Sequence, residues 1–326
     1  MRKRILGRTG LEVGELALGG LFVSSFGQKD FDEASMAVRR ALELGVNYVD
    51  TAPGYVDSEE VLGKALADIS TPYILSTKLG GRPDPFDPKD KCALRQSVEE
   101  SLRLLGRDHI DILMIHEPDR PGQYDWWDDH DRFLGPVTEF LADLKSEGII
   151  KFTGLGGTTV YEMVRIIETG QYDVVLTAFN YSLLWREARR YVVPAAKKQN
   201  MGIIIGSPLQ QGALARRYDI DAGAPWMSTP RREQYKKLYA FLDEINIPLP
   251  ELGIRFVLSD PDVHTVLMGA RSAAEVEQNA AAAEAGPLPD DLLARLDEIA
   301  AMVPFRPCEE PGGLPFGGEY RGPGML

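Results

Sequence analysis

The feature that most constrains the fold is a regular alternation of short apolar strand patterns with helix patterns. The strand patterns are continuously apolar, as is typical of strands covered on both faces. They lie at residues 16–19, 46–50, 73–77, 110–116, 151–155, 174–178, 202–206 and 264–268. Helix patterns lie at 32–44, 58–67, 88–104, 136–146, 160–168, 186–199, 231–245 with 250–258, and 273–285. This alternation predicts an α/β fold, a closed (β/α)8 TIM barrel, rather than an open sheet.

Three segments stand outside this regularity. The stretch "LGRTGLEV", with Gly10 between two short extended pieces, predicts an N-terminal β-hairpin that plugs the barrel. A long loop at 119–133 and a Gly/Pro-rich C-terminal extension at 304–326 either cover a pocket or are flexible. The aromatic residues Trp126, Trp127, Phe316 and Tyr320 make a covering role reasonable for both. No second domain is indicated, and we expect residues 1–326 to form one barrel domain.

The charge balance excludes several partners. The 36 basic and 49 acidic residues give a net charge of −13, which leaves no excess cationic surface for nucleic acid or anionic membranes. Cys92 and Cys308 lack metal-ligand spacing and form no disulfide framework, so we expect no metal site. No apolar run approaches the roughly 18 residues of a membrane span, and no signal peptide is evident. We therefore expect a cytoplasmic protein. No heptad or large apolar stripe indicates an oligomeric state.

Polar side chains follow three neighbouring strand patterns at their carboxyl ends. Asp50 ends the second strand, Lys78 follows the third, and His116 ends the fourth. Tyr55 follows Asp50 after a Pro-Gly turn. Asp50, Lys78 and His116 each have an ordinary structural explanation when taken alone. Asp50 can cap a turn, Lys78 can be solvated, and His116 can be a hydrogen-bonded core residue. Because active sites of such barrels lie at this end, we expect the four to meet in one pocket.

The four side chains together suit proton transfer. Burying a lysine, an aspartate and a histidine is costly unless they satisfy one another. A phenol with a pKa near ~10 is a weak acid at neutral pH, and an adjacent ammonium favours the phenolate. Asp50 would hold Lys78 in place and charged, and His116 would orient a carbonyl or hydroxyl beside the Tyr55 oxygen. Such a site is typical of proton transfer coupled to hydride transfer.

At these residues the sequence resembles the aldo-keto reductase family. The similar stretches run from residue 6 to residue 279: "LGRTGLEV", "DTAPGYVDSEEVLGKAL", "LSTKLG", "DILMIHEPD", "YSLLWRE", "GSPLQQGAL" and "GARSAAEVEQN". The resemblance implies that Tyr55 is the general acid/base, that Lys78 and Asp50 tune it, and that His116 positions the substrate oxygen. It also implies that a nicotinamide cofactor exchanges the hydride.

The resemblance also implies a set of cofactor contacts. Tyr181 matches the aromatic residue on which the nicotinamide stacks, and an ordinary tyrosine at a strand end is the less favoured alternative. Loops after the last two strands would bind the phosphates through backbone N–H groups and a helix N-terminus, unless they are plain turns. The cofactor-binding residues implied are Gly20, Leu21, Asp50, Tyr181, Ser207, Leu209, Gly212, Gly269, Arg271, Glu275, Gln278 and Asn279.

Two departures from the family pattern concern the carboxamide of the nicotinamide. Gly156-Gly157 stand where the family usually has Ser-Asn, and Ala178 stands where it usually has Gln. Thr158, Asn180 or backbone groups would have to replace those side chains.

A third departure concerns the choice of coenzyme. Glu275 occupies a position usually held by Gln, and Gln278 one usually held by Glu. A carboxylate there favours NAD, because it accepts from a ribose diol and repels a 2′-phosphate, whereas Arg271 favours NADP. The prediction is NADP, with NAD as the alternative.

The expected substrate is a small carbonyl or alcohol compound. Phe22, Tyr55, His116, Trp126 and Trp127 are the predicted substrate pocket, and flat aromatic faces suit sugar rings as well as apolar aldehydes. Gly in place of Ser-Asn also resembles a family branch that oxidises aldoses and pyridoxal-type compounds.

Two other functions stay open on the sequence. One is a non-catalytic dinucleotide-binding protein that docks on another protein, as certain channel-associated family members do. The other is a lyase that uses Lys78 as a Schiff-base amine.

Overall fold

A closed barrel of eight parallel strands forms the centre of the computed structural model, which describes residues 1–221 and 228–304. The barrel strands, in chain order, are β3 (Leu16–Gly19), β4 (Tyr48–Asp50), β5 (Ile74–Leu79), β6 (Ile110–His116), β7 (Ile150–Gly157), β8 (Val174–Ala178), β9 (Gly202–Gly206) and β10 (Thr265–Gly269). β10 pairs with β3 and closes the ring. The predicted (β/α)8 barrel is confirmed, and every strand lies where the sequence indicates it.

Helices surround the barrel in the order that the sequence predicts. They are α1 (Phe31–Glu43), α2 (Ser58–Leu66), α3 (Lys91–Leu105), α4 (Pro136–Ser146), α5 (Tyr161–Glu168), α6 (Glu187–Arg190), α7 (Val192–Lys198), α8 (Thr229–Ile245), α9 (Leu249–Leu258), α10 (Ala273–Glu284) and α11 (Asp290–Ala301). Several helices begin at a side-chain cap. Asp30 accepts from the backbone N–H of Asp32, and Asp90 accepts from that of Cys92. These contacts satisfy amide groups that have no partner inside the helix.

Two helical segments differ from the predictions. The single helix expected at 186–199 is two helices, because Tyr191 leaves the helical conformation with ψ of −58° at φ of −126°. Helix α11 was not predicted. Its signal was present, because Leu296, Ile299 and Ala300 are buried at helical spacing and two aspartates occupy the first turn.

The predicted N-terminal hairpin is confirmed. β1 (Lys3–Ile5) pairs antiparallel with β2 (Glu12–Gly14), and Gly10 turns between them with φ of +70°. Leu6 and Val13 are fully buried in the cluster that fills the barrel interior. The Leu6 side chain lies so close to Gly202 that a β-carbon there would be 2.6 Å from Leu6 Cγ. The hairpin therefore closes the amino-terminal end of the barrel and leaves the carboxyl end for chemistry.

The C-terminal extension predicted at 304–326 lies outside the described residues beyond Pro304, and Phe316 and Tyr320 lie there with it. Within the part of the chain that is described, no helix is long and apolar enough to cross a membrane.

Candidate active site

Strand pairing brings the predicted proton-transfer residues to one end of the barrel. Asp50 is the last residue of β4 and lies opposite Ser76 of β5. Lys78 lies inside β5, two residues further, and not after it as predicted. His116 is the last residue of β6. The three residues are nearly fully buried, so their charges must be compensated within the protein.

Lys78 and Asp50 form a buried ion pair. Lys78 Nζ donates to Asp50 Oδ2 at 2.7 Å and to the carbonyl oxygen of Thr51 at 2.8 Å. The other carboxylate oxygen, Asp50 Oδ1, accepts from the hydroxyl of Ser76 at 2.6 Å. Burial tends to lower the pKa of Lys78, but its contacts with Asp50 and Tyr55 outweigh burial and raise it. Lys78 therefore stays an ammonium ion.

Tyr55 lies above this pair, on the turn that leads from β4 to α2. Its backbone N–H donates to Ala52, and its carbonyl accepts from the N–H of Ser58, the first residue of α2. Lys78 Nζ lies 4.8 Å from the centre of the Tyr55 ring. Burial raises the pKa of Tyr55, and the Lys78 charge only partly offsets this effect. The phenol is therefore protonated at neutral pH, with a cation beside it that favours its deprotonation.

His116 faces Tyr55 across the pocket. The two rings meet edge to face with their centres 5.7 Å apart. Burial, aided by the Lys78 charge, places the pKa of His116 well below its usual value, so the imidazole is neutral. Nε2 is buried and has no hydrogen-bond partner in the described structure. A buried polar atom without a partner, on a ring that packs against a half-buried phenol, is suited to an oxygen atom of a ligand.

The predicted aromatic residues lie around this group in different ways. Trp126 and Trp127 are buried, and their indole N–H groups donate to the backbone oxygens of His116 and Pro118 at 3.2 and 3.1 Å. They fix the loop after β6 against the histidine. Phe22 lies instead over Gly269 at the end of β10, where a β-carbon would be 2.5 Å from its ring.

The ends of three neighbouring strands carry no large side chain. Gly156 of β7, Ala178 of β8 and Gly206 of β9 leave this side of the barrel mouth flat. A β-carbon at residue 156 would lie 3.4 Å from Lys78 Cε, so the lysine stem packs directly on this backbone. The surface beside Lys78 and Tyr55 is therefore suited to a flat ring.

The structure gives a physical reason for Gly157. A β-carbon there would be 2.4 Å from Asp119 Oδ1 and 2.2 Å from Met163 Cε, so any side chain is excluded unless these atoms move. The Asp119 carboxylate accepts instead from the backbone N–H groups of Thr158 and Thr159, at 3.0 and 2.5 Å.

The two side chains predicted as replacements are engaged elsewhere. Arg120 Nε donates to Thr158 Oγ1 at 2.5 Å, and Thr158 Oγ1 in turn donates to Glu117 at 3.3 Å. Asn180 Nδ2 donates to the backbone oxygens of Thr158 and Ala178 at 2.9 and 3.0 Å. The Thr158 side chain ties the loop after β7 to the loop after β6, and Asn180 ties the loop after β8 to the loop after β7.

Tyr181 does not join the group around Tyr55. Its hydroxyl donates to Asp260 Oδ2 at 2.6 Å, and its ring packs edge to face on Phe256 of α9. It belongs to the core cluster between barrel and helices, and not to the cluster inside the barrel. Its neighbour Phe179, which has φ of +66°, belongs to the interior cluster. The stacking role predicted for Tyr181 therefore has no support from its position.

The predicted phosphate-binding loops follow β9 and β10, and two further predicted cofactor-binding residues, Gly20 and Leu21, follow β3. Gly20 is tightly enclosed, since a β-carbon there would be 2.5 Å from Ser58 Oγ, and the carbonyl of Leu21 accepts from Ser24. Ser207 has φ of +52° and Gly212 has φ of +105°, so this loop turns sharply. The Leu209 side chain packs against Gly253.

The segment from Gly269 to α10 ends in an open helix N-terminus. Ser272 caps α10 by accepting from the backbone N–H of Glu275 at 3.3 Å. Glu275 accepts from the guanidinium of Arg271 at 2.6 Å and from its backbone N–H at 2.9 Å. Gln278 is exposed and Asn279 half-buried one turn further along the helix. The positive charge of Arg271 is therefore already matched by Glu275.

Sequence reasoning missed Ser76 and Glu59. Glu59 of α2 is buried, accepts from the hydroxyl of Thr77 at 2.6 Å and pairs with Arg82. It thereby ties the helix after Tyr55 to the strand that carries Lys78. A signal was present, because a strand reading Ser76-Thr77-Lys78 places three polar side chains in an otherwise apolar run. In the described part of the chain, no cluster of His, Cys, Asp and Glu could hold a metal ion.

Comparison with known proteins agrees with this geometry. The family model described as "Aldo/keto reductase family" matches residues 15–301. The chain is 29% identical to the L-galactose dehydrogenase of Arabidopsis thaliana, over 95% of this chain and 97% of that protein. It is also 29% identical to a D-threo-aldose 1-dehydrogenase of a Pseudomonas species, over 90% and 96%.

A solved structure is similar along the whole barrel. The aldo-keto reductase AKR11C1 from Bacillus halodurans, in its holo form, superposes with a TM-score of 0.75 at 27% identity, over 92% of this chain and 96% of that one. The chain therefore belongs to the aldo/keto reductase family and is an NAD(P)-dependent oxidoreductase.

Proposed function

We propose that the protein interconverts a carbonyl and an alcohol on a small polar substrate by hydride transfer, with Tyr55 as general acid/base. The observation that carries this proposal is the contact of the Tyr55 phenol with the buried Lys78–Asp50 ion pair, opposite the free Nε2 of His116. The nicotinamide cofactor supplies or accepts the hydride when it is bound.

Each side chain has one task in this mechanism. In the reducing direction the Tyr55 hydroxyl gives its proton to the substrate oxygen, and in the oxidising direction the phenolate takes a proton from the substrate hydroxyl. Lys78 stabilises the phenolate, and Asp50 holds Lys78 charged. The neutral His116 imidazole positions the substrate oxygen through Nε2. Burial of Asp50, Lys78 and His116 limits access of water and strengthens these electrostatic effects.

The residues present fit a nicotinamide dinucleotide. The flat strand ends at Gly156, Ala178 and Gly206 would lie beside the nicotinamide ring, and backbone groups would hold its carboxamide, since Thr158 and Asn180 are engaged. The helix N-terminus at Ser272 would bind phosphate through its amide groups.

We further propose that NAD is preferred to NADP, against the prediction from the sequence. Arg271, the residue on which NADP was predicted, is bound by Glu275 at 2.6 Å. A 2′-phosphate would have to displace this carboxylate, whereas a ribose 2′-hydroxyl can donate to it.

Sugars or sugar-derived compounds are the proposed substrates. The relatives named as an L-galactose dehydrogenase and a D-threo-aldose 1-dehydrogenase support this class. A Schiff-base lyase is disfavoured, because that chemistry needs a neutral amine and Lys78 is held as an ammonium ion.

Tyr55→Phe tests the mechanism. Turnover should fall about 10²- to 10⁴-fold, because the proton donor is removed, while coenzyme binding is retained. The measurement is absorbance at the reduced-nicotinamide band during a screen of aldoses, sugar alcohols, aldehydes and ketones with both coenzymes. Coenzyme binding is followed by its fluorescence.

Tyr124→Phe is the matched control. Tyr124 is a half-buried tyrosine beside Gly80 and Trp126, and its hydroxyl has no assigned role in proton transfer. The Tyr124→Phe variant should keep most of the wild-type turnover. A Tyr55→Phe enzyme that retained most of its turnover would refute the mechanism, and a wild-type protein that bound coenzyme but turned over nothing would point to a non-catalytic dinucleotide-binding subunit.

A further inference from the structure

Within residues 1–221 and 228–304, Ser76 is the one uncharged side chain that hydrogen-bonds to the Asp50 carboxylate. It lies on β5, directly opposite Asp50 on β4, and both side chains are almost completely buried. Its hydroxyl donates to Asp50 Oδ1 at 2.6 Å, while Lys78 occupies Oδ2 at 2.7 Å. Each carboxylate oxygen therefore has one donor from β5.

This arrangement fixes the direction of the lysine. The Lys78 ammonium donates to Asp50 and to the carbonyl of Thr51, and it also contacts Tyr55, with Nζ 4.8 Å from the ring centre. The third contact depends on the first two, because a rotated carboxylate would draw the ammonium away from the phenol. Ser76 holds the carboxylate from the far side, where no other described side chain donates to it.

The hydroxyl also affects charge. A hydrogen bond donated to a carboxylate favours its ionised form and draws negative charge away from the oxygen that faces the lysine. In a buried site, an oxygen of Asp50 that lost this donor would compete more strongly for the proton of Lys78. The phenol would then feel less positive charge.

We propose that Ser76 is a positioning residue for the reaction, one that keeps Asp50 ionised and oriented so that Lys78 stays charged against Tyr55. This inference rests on the function proposed for Tyr55. Ser76 itself would contact neither substrate nor coenzyme. The titratable and charged groups that act on Tyr55 are Lys78, Asp50 and Glu117, while Asp50 also acts on Tyr48, and Lys78 on His116.

The neighbouring residue provides a matched control. Thr77 is also fully buried on β5, and its hydroxyl also donates at 2.6 Å to a buried carboxylate, that of Glu59. It faces the helix layer, because side chains of a strand alternate between faces. Ser76→Ala and Thr77→Val therefore remove equivalent hydrogen bonds, one toward the reaction site and one away from it.

The experiment is a pH titration of Tyr55 in the full-length protein. Tyrosinate absorbance is recorded for each variant with and without Tyr55→Phe, and the difference isolates the Tyr55 phenol without requiring turnover. Ser76→Ala should raise the Tyr55 titration midpoint by about half to one pH unit, the size expected for one buried hydrogen bond. Thr77→Val should leave the midpoint unchanged. Ser76→Cys, which keeps the volume but donates weakly, should shift it in the same direction by less.

The same variants are then compared in pH–rate profiles. In the pH–rate profile of Ser76→Ala, the part of the curve that reflects ionisation of Tyr55 should move to higher pH. The shift should equal that of the titration midpoint. An unshifted midpoint in both Ser76 variants, or an equal shift in Thr77→Val, would overturn the inference while leaving the role of Tyr55 intact. Retained turnover in Tyr55→Phe would instead refute the proposed function itself.

Discussion

At the scale of single residues, the coenzyme preference depends on one ion pair at the start of α10. Arg271 lies just before Ser272, the N-cap of α10, and its guanidinium donates to Glu275 in the first turn of that helix at 2.6 Å. Sequence reasoning weighed the two as independent signals for NADP and for NAD. Their contact changes that weighing, because each charge offsets the other.

Glu275→Gln should shift the preference toward NADP. Removing the carboxylate frees Arg271 for a 2′-phosphate and removes the repulsion, so the ratio of NADPH to NADH affinity should rise at least about tenfold, or about 1.4 kcal/mol. Coenzyme fluorescence titrations measure both dissociation constants. Glu277→Gln is the control, since Glu277 lies on the same helix but pairs with Arg40. An unchanged ratio in Glu275→Gln would show that Arg271 does not face the adenosine end.

The same scale shows what sequence reasoning could and could not predict. Asp50, Lys78 and His116 were predictable because strand ends in a barrel converge by geometry alone. The contacts of Thr158, Asn180 and Tyr181 were not, because each partner is distant in the sequence: Arg120, the oxygen of Thr158, and Asp260, respectively. The alternation of side chains along a strand predicts the face on which each side chain lies. It does not predict the hydrogen-bond partner of that side chain.

At the scale of elements, the N-terminal hairpin is structural. Leu6 fills the bottom of the barrel and is separated from Tyr55 by the barrel interior. Leu6→Ala should destabilise the protein by about 2–5 kcal/mol, because it leaves a cavity in a packed core. Urea unfolding measures this loss.

The activity of that variant provides a second readout. The KM of Leu6→Ala below its unfolding transition should equal that of the wild type, because the plug and the reaction site lie at opposite ends. Leu11→Ala, in the same hairpin but half-buried, should destabilise the protein less. A raised KM in Leu6→Ala would show that the barrel floor is coupled to the pocket.

At the scale of the whole molecule, the regular β/α alternation predicted the barrel but left the last helix, α11, without a prediction. Eight β/α units accounted for the whole pattern, so the apolar spacing of Leu296, Ile299 and Ala300 was assigned to no element. The extra helix lies against α8 through such contacts as that of Gln234, whose amide donates to the backbone oxygen of Ile299 at 2.8 Å. Contacts of this kind follow from tertiary packing and not from local pattern.

The stability of the whole fold should fall as the solution becomes mildly acidic. Burial lowers the pKa of His116 well below its usual value, and burial together with the Arg4 charge lowers that of His264. Below about pH 6.5 the unfolded chain binds protons at these two positions that the folded protein does not bind. The folded state therefore loses stability as pH falls, by up to about 1.4 kcal/mol per pH unit for each histidine. Urea unfolding between pH 7.5 and 5.5 measures the slope. His116→Asn and His264→Asn should each flatten it, and the double variant should flatten it most, whereas an unchanged slope in the double variant would assign the acid sensitivity to the carboxylates.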